Sequence, residues 1–153
     1  MKHTLTCCAI LSLASLLVGC ETTTTHNTPS GRPEVTVSNA QAPDLIAQFT
    51  NELINRGYTI ADTSPQQTTF EKPATTLAAQ IAYGSTYNPT PNARITLDQV
   101  QLSDTTRILL SFSIVTNPGS AHERITALNN SPETVQYQEL LNQLTISTAR
   151  PKP

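Results

Sequence analysis

The chain has 153 residues, a formal net charge of -2 and 37% apolar residues, with no tryptophan. That length suits one domain with a modest aliphatic core. The weak, dispersed charge argues against nucleic acid, which needs clustered Lys and Arg. Cys7, Cys8 and Cys20 are its three cysteines, so neither a disulfide framework nor thiol chemistry is expected in the body of the chain.

At the amino end, Lys2 precedes an apolar run over residues 9–18 that is relieved only by Ser12 and Ser15. A membrane span needs roughly 20 apolar residues, whereas a signal peptide needs about 7–15 behind a basic start. The segment fits the second description. Its closing tetrad, Leu17-Val18-Gly19-Cys20, resembles the lipobox of bacterial lipoproteins. The resemblance implies a diacylglycerol on the Cys20 sulfur, cleavage after Gly19 and acylation, palmitate included, of the new amino terminus. Glu21 stands where the family places an inner-membrane retention aspartate, so the resemblance implies the outer membrane; of its two sides, periplasm and medium, the periplasm-facing one is expected. Each buried methylene contributes about 0.8 kcal/mol, so two or more acyl chains hold stably where one does not.

The expected organisation is a signal peptide at 1–19, the lipidated Cys20 with a flexible tether over 20–33, one domain at 34–149 and a disordered tail at 150–153. Residues 21–33 carry nothing able to build a core, and such segments stay extended and solvated. Removing the first 19 of 153 residues leaves 134, and with Lys2 gone the net charge moves from -2 to -3.

In chain order, residues 34–38 alternate as a first strand with Val35 and Val37 on one face. Residues 44–56 form a helix opened by Pro43 and Asp44, striped by Leu45, Ile46, Phe49, Leu53 and Ile54, and stopped by Gly57. Residues 58–61 and 68–72 pair as an antiparallel hairpin. Residues 74–83 form a short helix ended by Gly84, and 85–92, with Pro89 and Pro91, an exposed loop. Residues 94–102 make a strand whose alternation slips near Asp98 and Gln99, as a bulge requires. Residues 105–116 place Ile108, Leu110, Phe112 and Ile114 on one face of a central strand. The turn Asn117-Pro118-Gly119-Ser120 returns the chain as a strand over 121–128. A last helix opens at Ser131-Pro132-Glu133, with Ser131 as capping hydroxyl, and buries Val135, Tyr137, Leu140, Leu141 and Leu144.

This order predicts an α+β fold: a mostly antiparallel sheet of five to six strands with two to three helices on one face. On the other face Leu109 and Val115 interrupt a polar surface, and the helix at 74–83 is expected to cover them. Three motifs, Arg56-Gly57-Tyr58, Phe70-Glu71-Lys72 and Val115-Thr116-Asn117-Pro118-Gly119, occur in an arrangement that resembles small uncharacterised proteobacterial lipoproteins over residues 34–144. In outline the arrangement is also similar to the helix-grip domains of lipoproteins that assemble outer-membrane barrels. Neither resemblance brings a catalytic motif.

Chemistry-bearing patterns are sparse. His122-Glu123-Arg124 is the one dense polar trio, and on a strand its members point to opposite sides. A zinc site needs several His, Cys or carboxylate ligands, and a nucleophile triad needs a base beside a hydroxyl or thiol. Asp98 with Asp104, and Glu133 with Glu139, are spaced as a loop acid and a solvated helix face. No metal, no cofactor and no enzymatic role are expected. The loop at 85–92 is the candidate binding element, with Tyr87, Asn88 and Asn92 as its contact residues.

The expected function is that of a non-catalytic binding or assembly-accessory module of the cell envelope, held to the membrane by its lipid and working on an envelope protein partner. A periplasmic lipid-binding or transport component is the first alternative, and a continuous apolar cleft between sheet and helix would mark it. A small hydrolase is the second, and a serine or carboxylate converging on His122 would mark that.

Overall fold

The computed structural model describes residues 24–149. The expected signal peptide, the lipidation site Cys20 and the tail at 150–153 lie outside the described residues. The elements run β1 (Glu34–Ser38), α1 (Ala42–Asn55), β2 (Thr59–Thr63), β3 (Gln67–Pro73), α2 (Leu77–Tyr83), β4 (Asn92–Gln101), β5 (Thr105–Thr116), β6 (Arg124–Ala127) and α3 (Glu133–Thr148). All pairings are antiparallel, in the order β1-β5-β4-β3-β2, with β6 also on β5. The fold is thus α+β, with a six-stranded antiparallel sheet and three helices among the described residues.

Strands β2 to β6 form a meander. Helix α1 carries the chain from β1, at one edge, to β2 at the other. It forms where the apolar spacing predicts: Ala42, Leu45, Phe49 and Leu53 are buried, proline and Asp44 occupy the first turn, and Gly57 ends it at φ +85°. Of the expected stripe, Ile46 is only partly buried and Ile54, turned off the core face, is 49% exposed. The alternation of β5 then sorts its two faces. Ile108, Leu110, Phe112 and Ile114 join Ile95, Leu97 and Phe70 beneath α1 and α3 in one core. Tyr137, Leu140 and Leu141 close that core from α3.

Two short strands share one edge of β5. Strand β1 pairs with Thr105 to Leu109 and β6 with Ser113 to Thr116. Between them, the Leu110 amide donates to the Pro33 carbonyl at 2.8 Å and the Phe112 amide to Asn129 Oδ1 at 2.9 Å. Each amide in the gap thereby finds a partner, as a buried backbone requires. The Gln138 side chain does the same service on the free side of β1: its Oε1 accepts from the Glu34 amide at 2.8 Å and its Nε2 donates to the Glu34 carbonyl at 3.1 Å.

Several expectations are corrected. No bulge interrupts β4, which stays in register with β5 from Asn92 to Gln101. Val100 and Leu102, whose positions suggested one, are left 46% and 50% exposed, so no bulge was needed to bury them. The irregularity falls in β2, between Ile60 and Asp62. Ser131 is not the capping hydroxyl: Pro132 holds the cap position without a side-chain bond, and Ser131 Oγ is buried with no partner among the described residues.

Residues 24–33, expected as free tether, instead form a strap against the body. Its bonds are backbone and buried polar ones that composition alone does not reveal. The Thr24 amide donates to the Asn130 carbonyl at 2.7 Å, His26 is buried, and Pro33 is fully enclosed. His26 Nε2 lies 2.7 Å from Thr134 Oγ1, which itself donates to the Ser131 carbonyl at 2.6 Å. The threonine proton being used there, His26 Nε2 must be the donor.

Helix α2 packs on the same face as α1 and α3, not over Leu109 and Val115. That other face is paved by long charged side chains. Arg94 pairs with Glu71 at 2.5 Å and Glu123 at 3.2 Å, Arg107 with Glu34 at 2.7 Å, and Arg32 Nη1 donates to Ser111 Oγ at 2.6 Å. Beneath this layer Leu109 and Val115 are buried. The stems of long cationic side chains cover apolar surface while their heads remain wet.

Candidate binding cleft beneath the second helix

Helix α2 is built to stand off the sheet. Thr76 caps it, its Oγ1 accepting from the Ala79 amide at 3.3 Å, and the chain leaves at Gly84. A Cβ on Gly84 would approach the Pro89 carbonyl oxygen to 2.6 Å and the Gln80 carbonyl closer still, so only glycine allows this tight exit. None of the helix residues is buried. Its attachments are at its ends: Ala74 donates its amide to the Pro91 carbonyl at 2.8 Å, and Thr116 Oγ1 donates to the Tyr83 carbonyl at 2.8 Å.

The helix turns its alanines and the terminal Tyr83 inward and its two large aliphatic residues outward. Ala78, Ala79 and Ala82 face a cleft of about 770 Å³. Leu77 and Ile81, four apart and therefore on one side of the helix, are 71% and 76% exposed. Phe112 and Ile114 of β5 form the floor of the cleft, and residues 127–133, between β6 and α3, form the opposite wall. That wall is held by Asn129 on β5, by the Leu128 amide on the Phe112 carbonyl at 2.8 Å and by Thr134. The cleft is apolar in its depth, with Asn130 and Glu133 among the polar groups of its lining. Its volume falls within the range of about 300–1,000 Å³ common to small-molecule sites.

Behind the floor lies a buried phenol pair. Tyr58 and Tyr137 hydroxyls are 2.9 Å apart, the Tyr137 ring packs at 5.9 Å from Phe112, and Lys72 Nζ lies 4.4 Å over the Tyr58 ring. Burial pushes both phenols above their ordinary range, Tyr58 far above it, with its bond to Tyr137 adding to the rise. Burial, and then the Arg56 charge, push Lys72 down. The phenols therefore stay protonated, and their bond positions the floor of the cleft.

The anticipated contact residues separate. Tyr87 is 90% exposed. Asn88 is spent on its own turn, its Oδ1 accepting from the Thr90 amide at 3.1 Å and its carbonyl from Ser85. Asn92 belongs to β4 and donates to Glu71 at 2.9 Å. His122 is exposed in the β5–β6 turn, and its hydrogen bonds run through its backbone. Glu123 turns away to Arg94 and the Gly119 amide. Among the described residues no group of three His, Cys, Asp or Glu could hold a metal ion. Asp98 pairs with Gln67 at 2.7 Å, while Glu133 and Glu139 are exposed on α3.

Neither the cleft nor the strap histidine is evident from residue patterns alone. For the cleft one signal was available: residues 73–93 carry no charged side chain, and within them three alanines and two large aliphatics segregate at helical spacing. For His26, a lone imidazole in a polar stretch, there was none. No protein-family model, no curated protein and no solved structure matches the chain.

Proposed function

We propose that the protein is a non-catalytic binding module of the bacterial cell envelope that takes an apolar guest into the cleft beneath α2. The observation that carries the reading is the cleft itself, about 770 Å³ between a sheet and a helix that lines it with Ala78, Ala79, Ala82 and Tyr83. An apolar depth with a polar margin suits a guest having an aliphatic body and a polar end. The anchor belongs to the same reading. Lys2, the short apolar run and Leu17-Val18-Gly19-Cys20 support acylation of Cys20, and Glu21 supports the outer membrane.

A fluorescent fatty acid titrated into Cys20→Ser protein tests the cleft. Saturable, one-to-one uptake is expected, and its loss in Ala79→Phe, whose ring would fill the cleft from the α2 wall. Absence of uptake by the parent protein would overturn the reading. A second reading, docking of an envelope protein on the 85–92 loop, is favoured by the 90% exposure of Tyr87. Crosslinking from that position in intact envelopes tests it, recovery of a single protein being the expected result.

A further inference from the structure

We infer that α2 and the loop after it form the face of the protein that lies against the lipid bilayer. The inference rests on the proposed acylation of Cys20 and deepens that reading by naming what the exposed side of α2 touches. Three observations converge on it.

The first is where the strap ends. Thr24 is bonded to Asn130, and Asn130 lines the cleft opposite α2. Cys20 is four residues further back, and four residues span at most about 14 Å even when fully extended. An acylated Cys20 would therefore hold the rim of the cleft close to the membrane. Had the whole of 20–33 been free, as composition suggested, no face would be preferred.

The second is chemistry. From Pro73 to Ala93 no side chain is charged, whereas the opposite side of the sheet carries the Arg32, Arg94 and Arg107 networks. The uncharged stretch puts Leu77 and Ile81 outward at 71% and 76% exposure. Apolar side chains on an uncharged surface gain by entering the headgroup and acyl boundary, where no charge must be desolvated. The third is Tyr87, 90% exposed on the loop that follows. Tyrosine favours the membrane–water boundary, its ring apolar and its hydroxyl wet.

The chain contains no tryptophan, so a single substitution supplies a unique probe. The acylated protein bearing Tyr87→Trp is reconstituted into phosphatidylcholine vesicles whose acyl chains carry bromine. A blue shift and loss of most of the emission are expected, and Leu77→Ser with Ile81→Ser should restore much of it. Leu102→Trp, one residue past the far end of the ten-residue β4, about 30 Å away, should stay unshifted and unquenched. Equal quenching at both positions, or none at Tyr87→Trp, would overturn the inference while leaving fatty-acid uptake by the cleft untouched. Mass analysis of the amino-terminal peptide reads the anchor separately; an unacylated Cys20 would overturn both the anchor and the membrane face.

Discussion

The Tyr58–Tyr137 hydroxyl pair allows a sharp test of how the interior behind the cleft is held. Tyr58 is 2% exposed and Tyr137 8%, with their oxygens 2.9 Å apart. Changing Tyr58 to Phe deletes one hydroxyl and strands the other where water cannot replace it. Leaving a buried polar group unpaired costs about 1–3 kcal/mol, whereas removing both partners is nearly neutral. Each single Phe variant should therefore lose about 1–3 kcal/mol, or roughly 4–12 °C in Tm for a domain of this size. The double variant should return to within about 1 kcal/mol of the parent, a coupling of about 1–6 kcal/mol that grows with the cost of the singles. Urea unfolding of the four proteins measures the cycle. The pair also carries a pH signature: burial, then the hydrogen bond to Tyr137, raise the Tyr58 phenol above 10.0. A folded value above the unfolded one means that the stability is fully present below about pH 10 and is lost as pH climbs beyond it. In the double variant that alkaline loss should largely vanish. If the double variant costs the sum of the two singles, the hydroxyls act independently and the reasoning fails.

Three further outcomes are expected. Ser131→Ala should be neutral or stabilising by about 1 kcal/mol in urea unfolding, because Ser131 Oγ is buried without a partner among the described residues; a capping hydroxyl would instead cost about 0.5–2 kcal/mol. Burial alone would raise the Glu34 carboxyl, but the bonds from Arg107 and Ser30 outweigh it and hold it below 4.5. Its contribution is therefore present above that pH and lost as pH falls through the lower folded value, so acid unfolding of Glu34→Gln should be less steep than that of the parent. Thr134→Val removes the acceptor of His26, and hydrogen exchange at the Thr24 amide should accelerate as the strap detaches, a loss of about 0.5–1.5 kcal/mol locally; unchanged protection would show that the Thr24–Asn130 bond holds the strap alone.

Much of the fold was legible where local pattern and burial coincide. The stripe of α1 and the Gly57 stop could be read because each residue's role depends on its own helix. The alternation of β5 could be read because one face of a strand either meets a core or does not. Legibility failed where a partner distant in sequence supplied the reason. Ser131 reads as a cap, yet Thr134 takes its carbonyl and its hydroxyl is enclosed. Val100 and Leu102 read as demanding burial, yet they end the strand in solvent.

The sequence by itself determined the α+β class, the positions of the elements and the uncharged stretch at 73–93, since these follow from residue spacing and charge along one segment. Only the tertiary structure decided which face α2 would take, that its alanines would roof a cleft, and that residues 24–33 would be strapped down. The strap depends on His26 with Thr134 and Thr24 with Asn130, more than a hundred residues apart, and the seat of α2 on Tyr83 with Thr116. Neither member of such a pair carries a local signal of the other, and only packing brings them together.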